Sequence, residues 1–436
     1  MTKYRFCRIT HVFNHNEGGT MYSFETFRST YHEEIKQFPM HVIGGFNGSE
    51  AIGWGAVKIT GEQCKLAGIK HALLVTTGLK GTGIIDEVQS ICTHAGVETT
   101  IFKVGQTNPR EEDVFNGVKA FKDSGADGFL SVGGGSSHDT TKMIRMMLAN
   151  PEVGDMKDKA AVLDPSFMEV IPTINPCLYA QVAVNTTTGT GAEMTGFAVV
   201  TDWEKHWKYV LVAANMIPTI GILDPALLRT MPQSIAAQSG IDCFVHSMGG
   251  FVSRLGNQLA KAVGMRGAKL CWENLAEFSY NRLNDKACEA MAWAQYLGAM
   301  TYAMGGGLGM IHGLAHQISA MNDLHHGLTN AMTMVPVVKR NYVAAPDGYA
   351  ELARNAMGVD TRGMDRFQAA EIAVEKIEYL RNVVGIDDEA CKLSTYGLTE
   401  ADCKHMAGNS VNDLCNEGSA RDWTVEDSFE VYMSML

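Results

Sequence analysis

Between residue 39 and about residue 225, short apolar runs alternate with stretches that carry apolar residues at helical spacing. The pattern predicts strands at 71–76 (HALLVT), 97–105 (VETTIFKVG) and 128–135 (GFLSVGGG), and helices at 86–96 and 114–125. Strands that alternate with helices in this way are typical of a parallel sheet. This part of the chain is therefore predicted to be an α/β domain.

The pattern changes after Asp224 and Pro225. Long stretches rich in Ala, Leu and Met, such as 255–278 and 286–304, carry apolar residues at i, i+3 and i+4 with no clear strand between them. We therefore predict an α/β plus all-α protein: an N-terminal arm (1–38), a parallel-sheet domain (39–229) and an all-helical domain (230–436). A cleft between the last two domains would be the natural site for a ligand.

Composition and charge argue against several classes of function. The 436 residues carry 36 Lys and Arg against 48 Asp and Glu, a net charge of −12, with no basic block. Binding to nucleic acid needs clustered basic residues, so it is not expected.

No run of 18 apolar residues is present, and residues 1–19 lack the apolar segment of a signal peptide. Ten scattered cysteines without a C-x-x-C pair indicate reduced thiols, so we expect a cytoplasmic protein without membrane contact.

Histidines concentrate in the helical half. Asp242 and His246 are four residues apart, as are His312 and His316, so each pair would share one face of a helix. With His326 they provide one carboxylate and up to four imidazoles in apolar surroundings, where unpaired polar groups are costly. Three His and one Asp could hold Zn²⁺ or Fe²⁺ and leave a position open for substrate. Taken alone, either pair is also typical of an ordinary helix.

Two loops of small residues follow strands in the α/β part. In SVGGGSSHDTTK (131–142) a strand runs into three glycines and a helix begins at Ser136 or Ser137, which suits a pyrophosphate. AVNTTTGTGAEMT (183–195) offers hydroxyl groups for phosphate, ribose or carboxamide, and its Glu193 is expected to cap or pair locally. Each loop could equally be a plain turn, but two of them in one α/β domain favour a Rossmann-like dinucleotide-binding domain.

The order of these motifs resembles the iron-type, or group III, alcohol dehydrogenases from about residue 39 onward. GGGSSHDTTK is similar to that family's G-G-G-S-x-x-D-x-x-K signature, and NTTTGTGAE is similar to its nicotinamide-side loop. DCFVH (242–246) and GMIHGLAHQISAMNDLHHG (309–327) resemble its two metal segments. The resemblance implies a metal-dependent alcohol dehydrogenase that uses NAD(H) or NADP(H).

The resemblance also implies roles for individual residues. The metal ligands would be Asp242, His246, His312 and His326, while His316 would stand near the nicotinamide without being a ligand. As a hypothesis of mechanism, either His316 or the cofactor ribose would relay the alcohol proton. His325 would support the ligands from outside the metal shell. The cofactor would be bound by residues of several loops: Thr76, Thr77, Gly78, Asn108, Gly133, Gly134, Gly135, Ser136, Asp139, Lys142, Thr186, Thr187, Thr190 and Lys208.

Four further segments resemble the nicotinoprotein methanol dehydrogenases, which reduce nitrosodimethylaniline. They are TTGLKGTGIID (76–86), FVSRL (251–255), GGLGMIHG (306–313) and DLHHGLTNA (323–331). That branch implies methanol or ethanol as substrate, a tightly bound cofactor recycled by a redox acceptor, and a ring-like homo-oligomer such as a decamer. The ligand types do not separate Fe²⁺ from Zn²⁺, and Mg²⁺ stays an alternative.

The end of the first predicted strand bears on cofactor choice. An NAD-preferring fold usually places Asp or Glu there for the ribose 2′-hydroxyl, whereas this chain offers Thr76, Thr77 and Gly78, with Lys80 close by. Because no carboxylate would repel a 2′-phosphate, we predict NADP(H) ahead of NAD(H).

Several other functions compete with this interpretation. A soluble-cofactor aldehyde reductase, a 1,3-propanediol-type dehydrogenase or a zinc-type glycerol dehydrogenase would use similar motifs. A lyase of the dehydroquinate synthase type would need a basic pocket, but the segment 309–327 contains no Arg or Lys. A non-catalytic assembly protein with a structural metal would show no turnover of any alcohol.

Overall fold

A computed structural model describes residues 41–44, 48–105, 108–151, 175, 177–204 and 206–436, so the predicted arm at 1–38 lies outside it. The centre of the first domain is a seven-stranded sheet in the order β1-β2-β9-β6-β5-β3-β4. All neighbours pair in parallel except β1 and β2. Its strands are β1 (His41–Gly44), β2 (Ser49–Ile52), β3 (His71–Thr76), β4 (Glu98–Lys103), β5 (Gly128–Gly133), β6 (Gln181–Asn185) and β9 (Ile220–Leu223).

Both faces of the central strands are buried, which explains the continuous apolar runs of β3 and β5, whereas the edge strand β4 is partly exposed. Along β3, Leu73 and Val75 belong to one core cluster, while Ala72 and Leu74 belong to the cluster on the opposite face. This alternation is the period of two that a strand imposes on its side chains. Among the described residues this domain has four α-helices: α1 (Thr60–Leu66), α2 (Ile84–Ala95), α3 (Glu111–Ser124) and α4 (Gly135–Ala149).

A separate antiparallel hairpin packs against α4. It consists of β7 (Phe197–Asp202) and β8 (Trp207–Val212), with Phe197 opposite Val212. Ala198 and Val200 are buried against Met143, Met146 and Met147, so these methionines fill a core between α4 and the hairpin.

The rest of the described chain is helical. Its helices are α5 (Pro225–Leu228), α6 (Gln233–Val252), α7 (Gln258–Tyr280), α8 (Asp285–Thr301), α9 (Met310–Asn322), α10 (His326–Asn341), α11 (Pro346–Glu351), α12 (Arg366–Val383), α13 (Glu400–Ser410) and α14 (Val425–Ser434). They surround one extended core. Within the described residues, no helix is long and apolar enough to cross a membrane.

The predicted architecture, a parallel-sheet domain followed by helices, is confirmed, and most predicted elements differ only at their ends. The strand predicted at 71–76 is β3, whereas β4 and β5 are shorter than predicted at 97–105 and 128–135. The helices predicted at 86–96 and 114–125 begin two or three residues earlier, as α2 and α3. The short β1 and β2 and the hairpin β7–β8 were not predicted.

The prediction of reduced thiols agrees with the nine cysteines in the described residues, all of which are free. The domain boundaries at 39, 229 and 230 stay predictions. In the described chain, the last sheet strand ends at Leu223 and the long helices begin at Gln233.

Candidate metal and nucleotide site

Three buried residues and the half-buried His326, from three helices, meet where the helical domain faces the sheet. Asp242 and His246 lie one turn apart on α6, His312 lies in the first turn of α9, and His326 begins α10. The Asp242 Oδ1 atom is 3.4 Å from His246 Nε2, 3.5 Å from His312 Nε2 and 3.6 Å from His326 Nε2. The Nε2 atoms of His246 and His312 are 3.0 Å apart. All four predicted metal ligands are thus brought together.

Burial controls the charge of this cluster. It lowers the pKa of His246 and of His326, and it lowers the pKa of His312 to about 4. Burial alone would raise the pKa of Asp242, but His246, His326 and His312 outweigh it and hold that pKa well below its usual value. At neutral pH the cluster therefore consists of one carboxylate and three neutral imidazoles.

This protonation state fits a divalent cation. Metal ligands must offer lone pairs, so imidazoles must be neutral and carboxylates ionised. The buried Lys208 interacts electrostatically with Asp242 and His326, but its Nζ atom is bonded to Asn108 and Ser319. The Nδ1 atom of His246 lies 3.2 Å from the Gly189 carbonyl, a partner that turns its Nε2 toward the cluster.

His316 lies beside the cluster, and its ring is not directed at Asp242. Its Nδ1 atom is 2.9 Å from Asp413 Oδ2, and its ring stacks on His326 with centroids 5.2 Å apart. Asp413, which also accepts a hydrogen bond from the Cys415 amide, is buried. Burial would raise its pKa, but His316 and Cys415 hold that pKa below its usual value, so Asp413 is ionised at neutral pH. The pair fixes the orientation of the His316 ring.

The glycine turn lies at the topological switch point of the sheet. From β3 the chain runs outward to β4 and then returns to β5 on the other side of β3. In sheets of this kind ligands bind at the carboxyl ends of the strands, at this point. The Thr77 amide donates to Ser137 Oγ across it, with a distance of 3.1 Å. Helix α4 begins at Gly135, one residue before the predicted start.

The threonine loop packs directly on the glycine turn. The Thr186 amide donates to the Gly133 carbonyl at 2.9 Å. A Cβ atom on Gly134 would lie 2.8 Å from Thr187 Cγ2, and one on Gly135 would lie 2.7 Å from Thr190 Cγ2. Glycine is therefore required for this contact, and the two predicted nucleotide loops form one continuous surface.

Tyr302 connects the threonine loop to the metal cluster. Its hydroxyl donates to the Thr190 carbonyl at 2.6 Å, and its ring lies 4.9 Å from the His246 ring. A Cβ atom on Gly189 would lie 2.9 Å from Asp242 Oδ2. The nucleotide loops and the metal cluster thus share one site between the sheet and the helices.

Asp139 and Lys142 are engaged with the hairpin. Lys142 is fully buried, and its Nζ atom donates to the Phe197 carbonyl at 2.6 Å and lies 3.4 Å from Asp139 Oδ1. The other oxygen of Asp139 accepts from the Val199 amide at 3.1 Å. These contacts join α4 to β7, so the pair holds the helix that begins at the glycine turn against the hairpin. A direct contact with the cofactor stays a prediction for both residues.

The local bond expected for Glu193 is present, since its carboxylate accepts from its own backbone amide, but a distant residue also bonds to it. The Glu193 Oε1 atom accepts from Gln295 Nε2 on α8, 102 residues away, with a distance of 2.6 Å. A buried carboxylate needs a partner, and the partner here comes from the helical domain because the loop faces α8.

A buried amine links the hairpin to the segment between α9 and α10. Lys208 Nζ donates to Asn108 Oδ1 and to Ser319 Oγ, both at 2.7 Å. Asn108 in turn donates to Asp323 Oδ1 at 2.7 Å. Burial lowers the pKa of Lys208 to about 8, although Asp323, Asp139, Asp242 and Asp413 oppose the shift. The predicted cofactor residues Asn108 and Lys208 therefore lie on the side of the site that is formed by α9 and the residues after it.

Lys208 makes the stability of the protein depend on pH. Its pKa rises from about 8 in the folded chain to its ordinary value of 10.5 on unfolding, so the unfolded state binds more protons between these pH values. Stability should therefore rise with pH across this window. Lys208→Met lacks this contribution. The free energy of unfolding of the variant minus that of the parent should therefore become about 3 kcal/mol more negative between pH 7 and pH 10.5. Urea unfolding at both pH values measures it.

The exposed Lys404 provides the control, because its environment changes little on unfolding. The difference between Lys404→Met and the parent should be the same at both pH values. An equally constant difference for Lys208→Met would contradict the prediction.

Gly133 allows a test of the glycine turn. Its φ of +149° is unfavourable for other residues, and an added Cβ would lie 2.3 Å from Ser137 Oγ. Gly133→Ala should displace that hydroxyl from the Thr77 amide, destabilise the protein by about 1–3 kcal/mol and weaken nucleotide binding at least about tenfold. Calorimetry with NAD(H) and NADP(H) measures the affinity.

Gly125 is a matched control, since its φ is +68° but nothing lies within 4 Å of an added Cβ. Gly125→Ala should cost about 1–2 kcal/mol of stability and leave nucleotide affinity unchanged. If Gly133→Ala also bound nucleotide like the parent, the turn would not be a nucleotide site.

Comparison with known proteins agrees with this arrangement. Residues 50–225 match the family model of the iron-containing alcohol dehydrogenases, and residues 236–436 match the C-terminal model of the same family. The chain belongs to the iron-containing alcohol dehydrogenases. As a member of this family it is an oxidoreductase, with NAD-dependent relatives and a candidate metal site.

Two relatives of this iron-containing alcohol dehydrogenase are methanol dehydrogenases. The NAD-dependent methanol dehydrogenase of Bacillus methanolicus is 32% identical over 390 residues, which cover 89% of this chain and 98% of the relative. The methanol:N,N-dimethyl-4-nitrosoaniline oxidoreductase of Rhodococcus erythropolis is 33% identical over 422 residues, 91% of this chain and 96% of the relative. A solved 1,3-propanediol oxidoreductase superposes with a TM-score of 0.81 at 30% identity, covering 92% of this chain and 100% of that one.

Sequence reasoning missed several residues of the site. Asp413 is 97 residues from His316, and no spacing rule connects them. Asn330 follows His326 by four residues, the same spacing that identified Asp242 with His246, so this signal was present in the sequence. Ser137 and Tyr302 were also missed, since their contacts depend on how the loops pack.

Proposed function

We propose that this iron-containing alcohol dehydrogenase oxidises short primary alcohols such as methanol or ethanol, with one divalent metal and a nicotinamide cofactor. The observation that carries the proposal is the buried cluster of Asp242, His246, His312 and His326, in direct contact with the loop that begins at Thr186. The similarity to two methanol dehydrogenases over most of the chain supports the substrate class.

The chemistry divides between the bound groups and the chain. When bound, the cation supplies a Lewis acid that acidifies the alcohol hydroxyl, and the nicotinamide supplies the hydride acceptor. Asp242 and the three imidazoles would hold the cation, and Fe²⁺ or Zn²⁺ suits them better than Mg²⁺. His316, held by Asp413, would take the alcohol proton at its Nε2 atom.

The nucleotide would lie along the surface formed by the glycine turn and the threonine loop. Gly133, Gly134, Gly135 and Ser136 would border the pyrophosphate, and the hydroxyls of Thr186, Thr187 and Thr190 would border the nicotinamide half. We keep NADP(H) ahead of NAD(H), because Thr76, Thr77 and Gly78 present no carboxylate after β3. Comparable dissociation constants for both cofactors in the stripped protein would contradict this preference.

Further proposals concern assembly and turnover. By its similarity to the nitrosoaniline-dependent relative, the protein would keep its cofactor bound and pass electrons to a separate acceptor. We also propose a homo-oligomer, in the form of a ring such as a decamer, in the cytoplasm. Size-exclusion chromatography with light scattering measures the assembly.

An inventory of the purified protein tests the function. Elemental analysis, an absorbance spectrum and extraction of bound nucleotide would precede addition of methanol or ethanol. A stoichiometric metal and a retained nicotinamide that becomes reduced by alcohol are expected. Metal without retained nucleotide, with turnover on added NAD(P), would instead favour a soluble-cofactor dehydrogenase of the propanediol or aldehyde-reductase type. Absence of metal binding and of turnover would contradict the proposal.

A further inference from the structure

A single carboxylate connects the turn before α10 to the segment before α3. Asp323 caps the C-terminus of α9, and its Oδ1 atom accepts from Asn108 Nδ2 at 2.7 Å. Its Oδ2 atom lies 3.4 Å from a guanidinium nitrogen of Arg110. Asn108 and Arg110 lie on the sheet side of the site, whereas Asp323 lies on the helical side. The two sides are thus joined through both oxygens of one side chain.

The bond to Asp323 belongs to a closed ring of hydrogen bonds. Lys208 Nζ donates to Asn108 Oδ1 and to Ser319 Oγ, and that hydroxyl donates to the Leu324 carbonyl at 2.8 Å. Asn108 Nδ2 closes the ring, since it reaches both Asp323 and the Leu324 carbonyl, the latter at 3.3 Å. An amide whose oxygen faces an ammonium group and whose nitrogen faces a carboxylate is fixed in one orientation.

The backbone of Asp323 has an uncommon conformation. Its φ of +54° lies in the left-handed region, which Asp and Asn adopt more readily than most other residues. The Asp323 amide donates to the Ser319 carbonyl at 2.9 Å, so α9 ends there. Helix α10 begins three residues later at His326. The turn that places this proposed metal ligand therefore also anchors Asn108.

The ring leaves Lys208 able to bind a ligand. An ammonium group has three N–H bonds, and among the described residues two of them are used, by Asn108 and Ser319. The charge of Asp242 also acts on Lys208, so the ammonium group lies near the metal cluster. Its third N–H bond can therefore donate to a cofactor in the site, provided that Asn108 holds the ammonium group in place.

We propose that Asp323 is a positioning residue for the nicotinamide cofactor, because it fixes Asn108 and, through Asn108, the Lys208 ammonium group. The inference rests on the proposed function, since it requires a cofactor in this site. Asp323 acts through Asn108 and needs no contact with the cofactor. Its removal should therefore weaken cofactor binding and leave metal binding unchanged.

The test compares the parent with Asp323→Gly, which removes the carboxylate and tolerates the positive φ. Calorimetry on protein stripped of nucleotide measures the dissociation constants of NAD(H) and NADP(H) at about pH 6, below the Lys208 pKa of about 8. We expect at least about tenfold weaker cofactor binding, since a hydrogen bond to a charged group is lost. Zn²⁺ affinity, measured by competition with a chromogenic chelator, should equal that of the parent. Parent-like cofactor affinity, or an equal loss of Zn²⁺ affinity, would overturn the proposal.

Two further variants separate positioning from a general structural role. Asp323→Asn keeps an acceptor for Asn108 and suits the positive φ, so its cofactor affinity should stay within about threefold of the parent. Asn108→Ala should weaken cofactor binding at least as much as Asp323→Gly does. Adding Asp323→Gly to it should cause almost no further loss, because both changes remove the same bond. Additive losses, or an Asn variant as weak as the Gly variant, would overturn the proposal.

Asp360→Gly is the matched control. Asp360 is an exposed carboxylate that pairs with Arg362, so the same chemical change there should keep the parent's affinities for cofactor and Zn²⁺. If Asp323→Gly does not fold, Asp323→Ser takes its place with the same expected loss, since its side chain is one atom shorter than that of Asp. A parent that bound neither cofactor would contradict the proposed function. A parent that binds nucleotide, together with an equally tight Asp323→Gly variant, would overturn this inference alone.

Discussion

His246→Ala is expected to abolish alcohol oxidation and to weaken divalent metal binding by at least about a hundredfold. His246 contributes one of three imidazoles around Asp242, and its Nε2 lies 3.0 Å from that of His312. Its removal leaves an opening in the ligand shell that the neutral methyl group of Ala cannot fill. Metal content after dialysis and the rate with methanol or ethanol measure the two effects.

Asp242→Asn should weaken metal binding and alcohol oxidation to a similar extent, but for a different reason. It keeps the shape of the side chain but removes the only carboxylate among the four proposed ligands. Because ligand binding stabilises only the folded state, added metal should raise the melting temperature of the parent and not that of either variant. His71→Ala is the control, since His71 bonds to Thr100 on the sheet and has no contact with the cluster. Parent-like metal binding by both cluster variants would contradict the proposed site.

The sequence predicted the architecture because its signals are local. The apolar runs of β3 and β5 are continuous since both faces of these central strands are buried, and the helical half repeats at i, i+3 and i+4. The hairpin β7–β8 was missed because it forms outside the main sheet, against α4. Its position explains why Asp139 and Lys142 bond to Val199 and Phe197.

The candidate site was predictable where spacing or family resemblance carried information. Helical spacing and the clustering of histidines identified the candidate ligands, and the resemblance then selected His312 and His326 over His316. Asp413 was beyond reach, since it meets His316 only through the packing of the turn after α13 against α9. Lys208 was predicted as a cofactor residue, but its pKa of about 8 depends on burial that no local pattern reveals.

Asp413→Asn is expected to lower kcat by about two to four orders of magnitude while metal content stays that of the parent. The ionised Asp413 accepts a hydrogen bond from the Nδ1–H group of His316, which leaves the Nε2 lone pair of that ring free to take up a proton. An Asn would retain the bond from the Cys415 amide through its oxygen and turn its N–H group toward Nδ1. The ring proton would then move to Nε2, where it blocks uptake of the alcohol proton. Steady-state kinetics and elemental analysis of the same preparation measure the two quantities.

A double-mutant cycle separates positioning from stability. If Asp413 acts only through His316, then Asp413→Asn should add almost nothing to the loss already caused by His316→Ala, because residues that act as a unit are not additive. Asp365→Asn is the control, since Asp365 caps α12 through the amides of Phe367 and Gln368 and touches no residue of the cluster. It should leave kcat unchanged. Additive losses in the cycle would instead assign Asp413 a purely structural role, and parent-like kinetics of His316→Ala would remove the proton relay altogether.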